Sequence, residues 1–268
     1  MLDKDAYRLG LGTYSLTGAY GTEAVAAALD TGYRHVDTAR LYGNESEVSN
    51  AIDTSLVDRD DLFVATKVGH FEEPEKTPDY IRISVDESRK KLGVDTIDLL
   101  YHHWPRNTDE INTVLPVFEE LQDDDIVDRI GVSNYQIKDI KRAVDLVDVP
   151  LYANQVEMHP LLQQQELYEV CCEQDIYVVA YSPLAQGRVF DVPEIVDIAD
   201  KHDTSPPVVS LAWLLSHNGV IAIPRSSTID HIRENLAARK VELDDEDIEQ
   251  IDAIDETYRC ENPDWMEW

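Results

Sequence analysis

Short, β-branched apolar runs alternate with longer segments of helical periodicity along most of the chain. Runs at 33–37, 62–66, 96–102, 127–132, 151–156, 176–180 and 220–223 are too short for helices, and they predict strands, with an eighth at 9–11. Between them, apolar residues recurring every three or four positions predict helices over 22–31, Pro78–Leu92, 137–147, 164–173 and 207–217. Thr77 before Pro78 offers a cap followed by a proline at the first helical position, and Gly93 offers the stop. No Pro/Gly/Ser-rich linker interrupts the alternation and no short repeat underlies it. Eight strand-then-helix units predict an α/β fold, a single-domain (β/α)8 barrel spanning residues 1–268. The rival, a doubly wound nucleotide-binding sheet, needs a third glycine and a helix directly after its first strand. In "RLGLGTYSLTG" Gly10 and Gly12 are followed by Ser15 where that glycine belongs, and no helical pattern is evident there.

Composition narrows the classes of function. Hydrophobic residues make up 43% of the 268 residues, enough for a large core. Lys and Arg total 23 against 54 Asp and Glu, a net charge of −31. Such a surface repels nucleic acid and anionic membranes, and it suits concentrated salt, where screening makes self-repulsion tolerable. No apolar run reaches membrane-spanning length, and the opening residues show no basic stretch followed by an apolar one, so no secretion signal is expected. Three cysteines give neither a disulfide framework nor a zinc spacing, so a reduced, cytoplasmic setting is expected.

In a (β/α)8 barrel the reactive groups sit at the C-terminal ends of the strands. Those ends read Asp37, Lys67, His103, Ser133 with Asn134, Gln155, Tyr181 and Arg225, each a polar group closing an apolar run. Within "LYHHWP" the adjacent His102 and His103 point to opposite faces of one strand, which argues against a shared metal.

"GYRHVDTARLYGNE", "VATK", "DLLYHHWP", "IGVSNY", "NQVEMHP", "AYSPL" and "IPRSS" follow one another between residues 32 and 227. In this order they resemble the motifs of the aldo-keto reductases, prokaryotic in type, over about residues 9–235. The resemblance implies a barrel enzyme that reduces aldehydes or ketones with a nicotinamide cofactor and without a metal. By the same resemblance Tyr42 is the proton donor, Lys67 the ammonium that lowers its pKa, Asp37 the carboxylate that fixes the lysine, and His103 the group that orients the carbonyl. Tyr14 and Trp104, with His103, line the substrate pocket. Gly12, Thr13, Ser133, Asn134, Gln155, Tyr181, Ser182 and Leu184 match positions along the nicotinamide and pyrophosphate. Arg225, Ser226, Ser227, His231, Glu234 and Asn235 match the adenosine-phosphate end.

Three departures stand out. Arg225 replaces the usual lysine and keeps the charge. His231 stands where NADPH-preferring members carry arginine, so NADPH is favoured by Arg225 while NADH stays open. Tyr14 replaces the usual tryptophan. The C-terminal segment, about 238–268, is implied to fold over the mouth and set specificity, with Trp265 and Trp268 as contacts or as cover. Monomer is the implied state. Two other classes stand against this reading: a non-catalytic NADP(H)-binding subunit of the same fold, and a metal-dependent barrel hydrolase.

Overall fold

The computed structural model describes residues 7–73, 76–266 and 268. Its strands are β1 (Leu11–Gly12), β2 (His35–Asp37), β3 (Phe63–Val68), β4 (Leu99–His102), β5 (Ile130–Ser133), β6 (Ala153–Glu157), β7 (Tyr177–Tyr181) and β8 (Val220–Ala222). All pair in parallel with their sequence neighbours, in the order β1 to β8. A parallel bridge between Leu9 and Ala222, with the Gly10 amide donating to the Ala222 carbonyl at 2.8 Å, closes the sheet on itself. The predicted (β/α)8 barrel is the observed fold, and closure leaves no exposed edge.

Helices α1 (Gly18–Thr31), α2 (Glu45–Thr54), α3 (Pro78–Leu92), α4 (Thr108–Asp123), α5 (Ile137–Val144), α6 (Gln165–Glu173), α7 (Pro193–Lys201), α8 (Pro206–Ser216), α9 (Ile229–Ala237) and α10 (Asp245–Asp252) surround the sheet. The signals at α3 act as expected: the Thr77 side chain accepts from the Tyr80 amide, and Gly93 turns left-handed at φ 65°. Arg89, Lys90 and Lys91 occupy the negative end of its dipole. The start of α1 corrects the sequence reading, because the helix begins at Gly18 rather than at residue 22. Two glycines in its first turns hide the pattern, and Gly21 is there for space: a Cβ would lie 2.5 Å from the Leu16 carbonyl oxygen.

The alternation of strand side chains sorts the barrel interior into layers. Phe63, Ala65, Leu99, Tyr101, Ala153, Val179, Ile221 and Ile223 form one inner apolar cluster. Gly131 belongs to the same inward set, where a Cβ would meet the Tyr101 ring at 2.9 Å. Two residues further along each strand, the inward positions are Lys67, His103, Ser133, Gln155 and Tyr181. The site is thus the uppermost interior layer, standing on a packed apolar floor.

Candidate active site

The layer above that floor is polar and closely tied. Asp37 and Lys67, 2% and 1% exposed, form a buried ion pair. The ammonium also donates to the Thr38 carbonyl at 2.8 Å and lies 5.8 Å from the centre of the Tyr101 ring beneath it. The second Asp37 oxygen accepts from the Gln155 amide at 2.7 Å. Both carboxylate oxygens are therefore engaged, and the lysine is held in one place.

Tyr42 reaches the same point from the single 3₁₀ turn Arg40–Tyr42 after β2. The loop is pinned by buried Asn44, which accepts from the Thr38 hydroxyl at 2.8 Å and donates to the Thr13 and Leu16 carbonyls, each at 2.8 Å. The Lys67 ammonium lies 5.2 Å from the centre of the Tyr42 ring, and the His103 ring centre is 5.9 Å from it on another side. Asp37, Tyr42, Lys67 and His103 thus meet at one spot, as the sequence suggested.

The electrostatics correct one expectation. Lys67 was expected to lower the Tyr42 pKa, but the net shift is upward: burial drives it, and Asp37, Tyr14 and Glu261 add to it. Burial is the main reason, and the Asp37 carboxylate beside the ammonium adds to it. Tyr42 therefore stays protonated across the neutral range. His103 is shifted well down, first by burial and then by Lys67, His70 and His102, so its imidazole is neutral. Its Nδ1 is buried with no hydrogen-bond partner.

His102 parts from His103 as the strand alternation required. It is fully buried on the helix side, Nδ1 lies 2.8 Å from the Tyr135 hydroxyl, and burial lowers its pKa to about 3. Such a histidine takes up its proton in the unfolded chain between the ordinary pKa of 6.5 and about 3, so its contribution to stability is present above pH 6.5 and lost as pH falls through that window. Replacing His102 by leucine strands the Tyr135 hydroxyl and should cost about 1–3 kcal/mol at pH 7. The same change should flatten the acid side of the stability profile. Urea titrations at several pH values check both, and an unaltered profile would count against this assignment.

The remaining predicted residues fall into two groups. Ser133, Asn134, Gln155 and Tyr181 come together beside Asp37, Tyr42, Lys67 and His103. The Ser133 hydroxyl donates to the Gln155 carbonyl at 2.9 Å, the Asn134 amide donates to Ser133 Oγ at 3.1 Å and to the His103 carbonyl at 3.2 Å, and the Tyr181 hydroxyl donates to Asn134 Oδ1 at 2.9 Å. Asn134 adopts a left-handed φ of 60°, a conformation asparagine tolerates better than most residues. Hydroxyl and amide groups beside a half-buried aromatic ring suit a carboxamide-bearing ring, so these residues fit a nicotinamide. Thr13 is buried, and its hydroxyl donates to the Asp37 carbonyl at 3.0 Å; Gly12 is buried beside the Ile223 carbonyl, 2.8 Å from where a Cβ would stand. Both serve the barrel wall.

Ser182 and Leu184 lie on an irregular loop with left-handed residues at Ser182, Ala185, Gln186 and Gly187. The residues matched to the adenosine-phosphate end by resemblance cluster around the start of α9. Arg225 is exposed and donates to Ser15 Oγ at 2.6 Å. Thr228 Oγ1 and His231 Nδ1 are 3.0 Å apart, Ser226 and Asn235 are buried, and Ser227 and Glu234 are half-buried. Tyr14 is exposed with its ring 5.1 Å from Tyr42, and Trp104 is buried among Phe71, Trp265 and Trp268.

Sequence reasoning missed what fastens the tail. Glu157, inward on β6 and 1% exposed, accepts from the Cys260 amide at 2.5 Å and the Glu261 amide at 2.8 Å. Its Oε1 is also 3.0 Å from His159 Nε2. Burial alone would raise its pKa; these bonds outweigh that and hold it below the usual value. Glu157, His159 and Cys260 also form a compact set of ligand-type side chains. Their groups are bonded to one another and to the tail. The signal was partly visible, since Glu157 ends its strand with a carboxylate, but the tail amides it accepts from lie about a hundred residues away.

The sequence profile of the Aldo/keto reductase family matches residues 8–256. Glyoxal reductase of Bacillus subtilis (strain 168) is 37% identical over 257 residues, 95% of this chain and 91% of that protein. Methylglyoxal reductase DkgA of Escherichia coli (strain K12) is 35% identical, over 94% of this chain and 90% of that one. Among solved structures, MGS-M4, an aldo-keto reductase from a Medee basin deep-sea metagenome library, superposes with a TM-score of 0.90 at 32% identity, covering 95% of this chain and 93% of that one. With a family-wide match of this extent and the expected residues assembled at the barrel mouth, the chain belongs to the aldo/keto reductase family.

Proposed function

We propose that this chain reduces small aldehyde and ketone carbonyls to alcohols with NADPH, Tyr42 delivering the proton. The observation that carries the reading is the meeting of Tyr42, Lys67, Asp37 and His103 in one interior layer. When bound, the reduced nicotinamide supplies the hydride. The substrate oxygen sits between the Tyr42 hydroxyl and the neutral His103 ring, which orients it by hydrogen bonding. As negative charge develops on that oxygen, Tyr42 releases its proton to it, and the Lys67 ammonium stabilises the phenolate left behind. A tyrosine with a raised pKa is a weak acid at rest but is always loaded, and the lysine acts where the charge appears.

Ser133, Asn134 and Gln155 hold the carboxamide, Tyr181 stacks on the ring, and Gly12, Thr13, Ser182 and Leu184 shape the path toward the pyrophosphate. Arg225, with Ser226, Ser227 and His231, holds the 2′-phosphate, and Glu234 and Asn235 meet the adenine. Arg225 is the basis for placing NADPH ahead of NADH. Tyr14 and Trp104 line the substrate pocket, covered by the segment 238–268 that Glu157 ties down. The names of the two curated relatives put glyoxal and methylglyoxal first among substrates to try. A monomeric, cytoplasmic, salt-adapted enzyme completes the reading, supported by three free cysteines and the charge of −31.

Initial rates on a panel of aldehydes and ketones, with NADPH and with NADH in molar KCl, test the reading. Turnover with a preference for NADPH is expected; absence of turnover with either nucleotide would instead favour the non-catalytic subunit. The unfolding midpoint should rise with KCl concentration, and greatest stability in dilute buffer would contradict the salt adaptation.

A further inference from the structure

The mouth holds a second neutral imidazole that the reduction does not use. β3 ends at Val68, and Gly69 then turns left-handed at φ 78° directly over His102, where a Cβ would meet that ring at 2.8 Å. This tight turn sets His70 against the catalytic histidine, with ring centres 4.8 Å apart. Phe71 and Trp104 pack around it at 4.1 and 6.3 Å.

The hydrogen bonding of His70 fixes which nitrogen carries the proton. Its Nδ1 accepts from the Glu72 amide at 3.2 Å, so Nδ1 is bare and Nε2 carries the hydrogen. The Glu72 carboxylate lies 3.9 Å away, also on the Nδ1 side. Burial, Lys76 and Arg106 lower the pKa to about 4, keeping this tautomer neutral at physiological pH. His70 is only 7% exposed, and among the described residues the bond that its Nδ1 accepts from Glu72 is the one hydrogen bond of its ring. The result is an oriented N–H donor without an acceptor among the described residues, its ring beside that of His103 at 4.8 Å.

We infer that His70 is a specificity-determining residue, its Nε2–H receiving the second oxygen of a 1,2-dicarbonyl substrate whose reacting carbonyl lies between Tyr42 and His103. A vicinal dicarbonyl carries its two oxygens on adjacent carbons, so one molecule reaches both neighbouring rings. A monocarbonyl of the same size leaves the His70 donor without that partner, and a site built around a hydrogen bond discriminates by its loss. The inference rests on the carbonyl-reductase reading and extends it to a substrate class.

The test compares kcat/KM for methylglyoxal and for propanal, with NADPH, in the full-length wild type, His70→Phe and His70→Gln. His70→Phe should lower the methylglyoxal-to-propanal ratio about tenfold, the worth of one hydrogen bond. His70→Gln, which keeps an N–H donor, should recover most of the ratio. NADPH fluorescence titration verifies that both variants are folded and bind cofactor. An unchanged ratio in His70→Phe, or an equal fall on both substrates, overturns the inference and leaves the carbonyl-reductase reading intact. Failure of the wild type to reduce either compound defeats that reading and the inference with it.

Discussion

Tyr42→Phe is expected to lower kcat by about 10²–10⁴-fold, the usual contribution of a positioned acid, while leaving NADPH affinity unchanged. The substitution removes only the hydroxyl, so the ring contacts with Tyr14 and His103 at 5.1 and 5.9 Å persist and the loop pinned by Asn44 is not disturbed. Turnover and cofactor binding should therefore separate cleanly. Rates on the carbonyl panel and fluorescence titration with NADPH read the two effects, and wild-type turnover would remove Tyr42 from the mechanism. The raised pKa adds a pH dependence of stated sign. The proton to be donated is present throughout the neutral range, so the wild-type reduction rate should not fall with the loss of that proton before pH exceeds about 10, the ordinary tyrosine value.

The largest effect on stability is expected at Lys67→Met. Asp37 would lose its buried counter-ion, leaving a carboxylate with only the Gln155 amide and no neutralising charge. Breaking a buried pair from one side costs about 3–5 kcal/mol. The Asp37→Asn, Lys67→Met double variant removes both charges and should recover much of that loss without recovering turnover. This outcome separates the lysine's structural part from its electrostatic one. Urea unfolding of the two single variants and the double variant in the same KCl concentration gives the coupling, and additive effects would contradict the pairing.

The parity of the strands made most of the site legible in advance. Lys67, His103, Ser133, Gln155 and Tyr181 each end an apolar run, and the same side-chain alternation that built the apolar floor turned them all inward. The choice of His103 over His102 came from the resemblance, whose pattern sets a histidine directly before Trp-Pro; the alternation supports it, and the buried bond from His102 to Tyr135 accounts for the other histidine. Local glycine chemistry was read correctly at Gly93 and missed at Gly18, which is left-handed at φ 63°, and at Gly21, where room for the Leu16 carbonyl outweighs helix propensity.

Quantities that depend on three-dimensional sums were beyond the sequence. Proximity of Lys67 to Tyr42 suggested a lowered pKa, but the sign follows from burial and from the Asp37 charge beside the ammonium. The fastening of the tail by Glu157 joins positions 157 and 260, and no local pattern marks such a pair. His70 has no polar-strand-end signature because it lies beyond Gly69, in a turn whose path is set by the His102 ring beneath it.

The most direct measurement of the central claim follows deuterium from NADPH labelled at the nicotinamide C4 position into the alcohol formed from methylglyoxal. The account predicts label on the carbinol carbon, none arriving there from solvent, and loss of labelled product in Tyr42→Phe. Carbinol hydrogen drawn from solvent, or labelled alcohol formed at the wild-type rate by Tyr42→Phe, would contradict it.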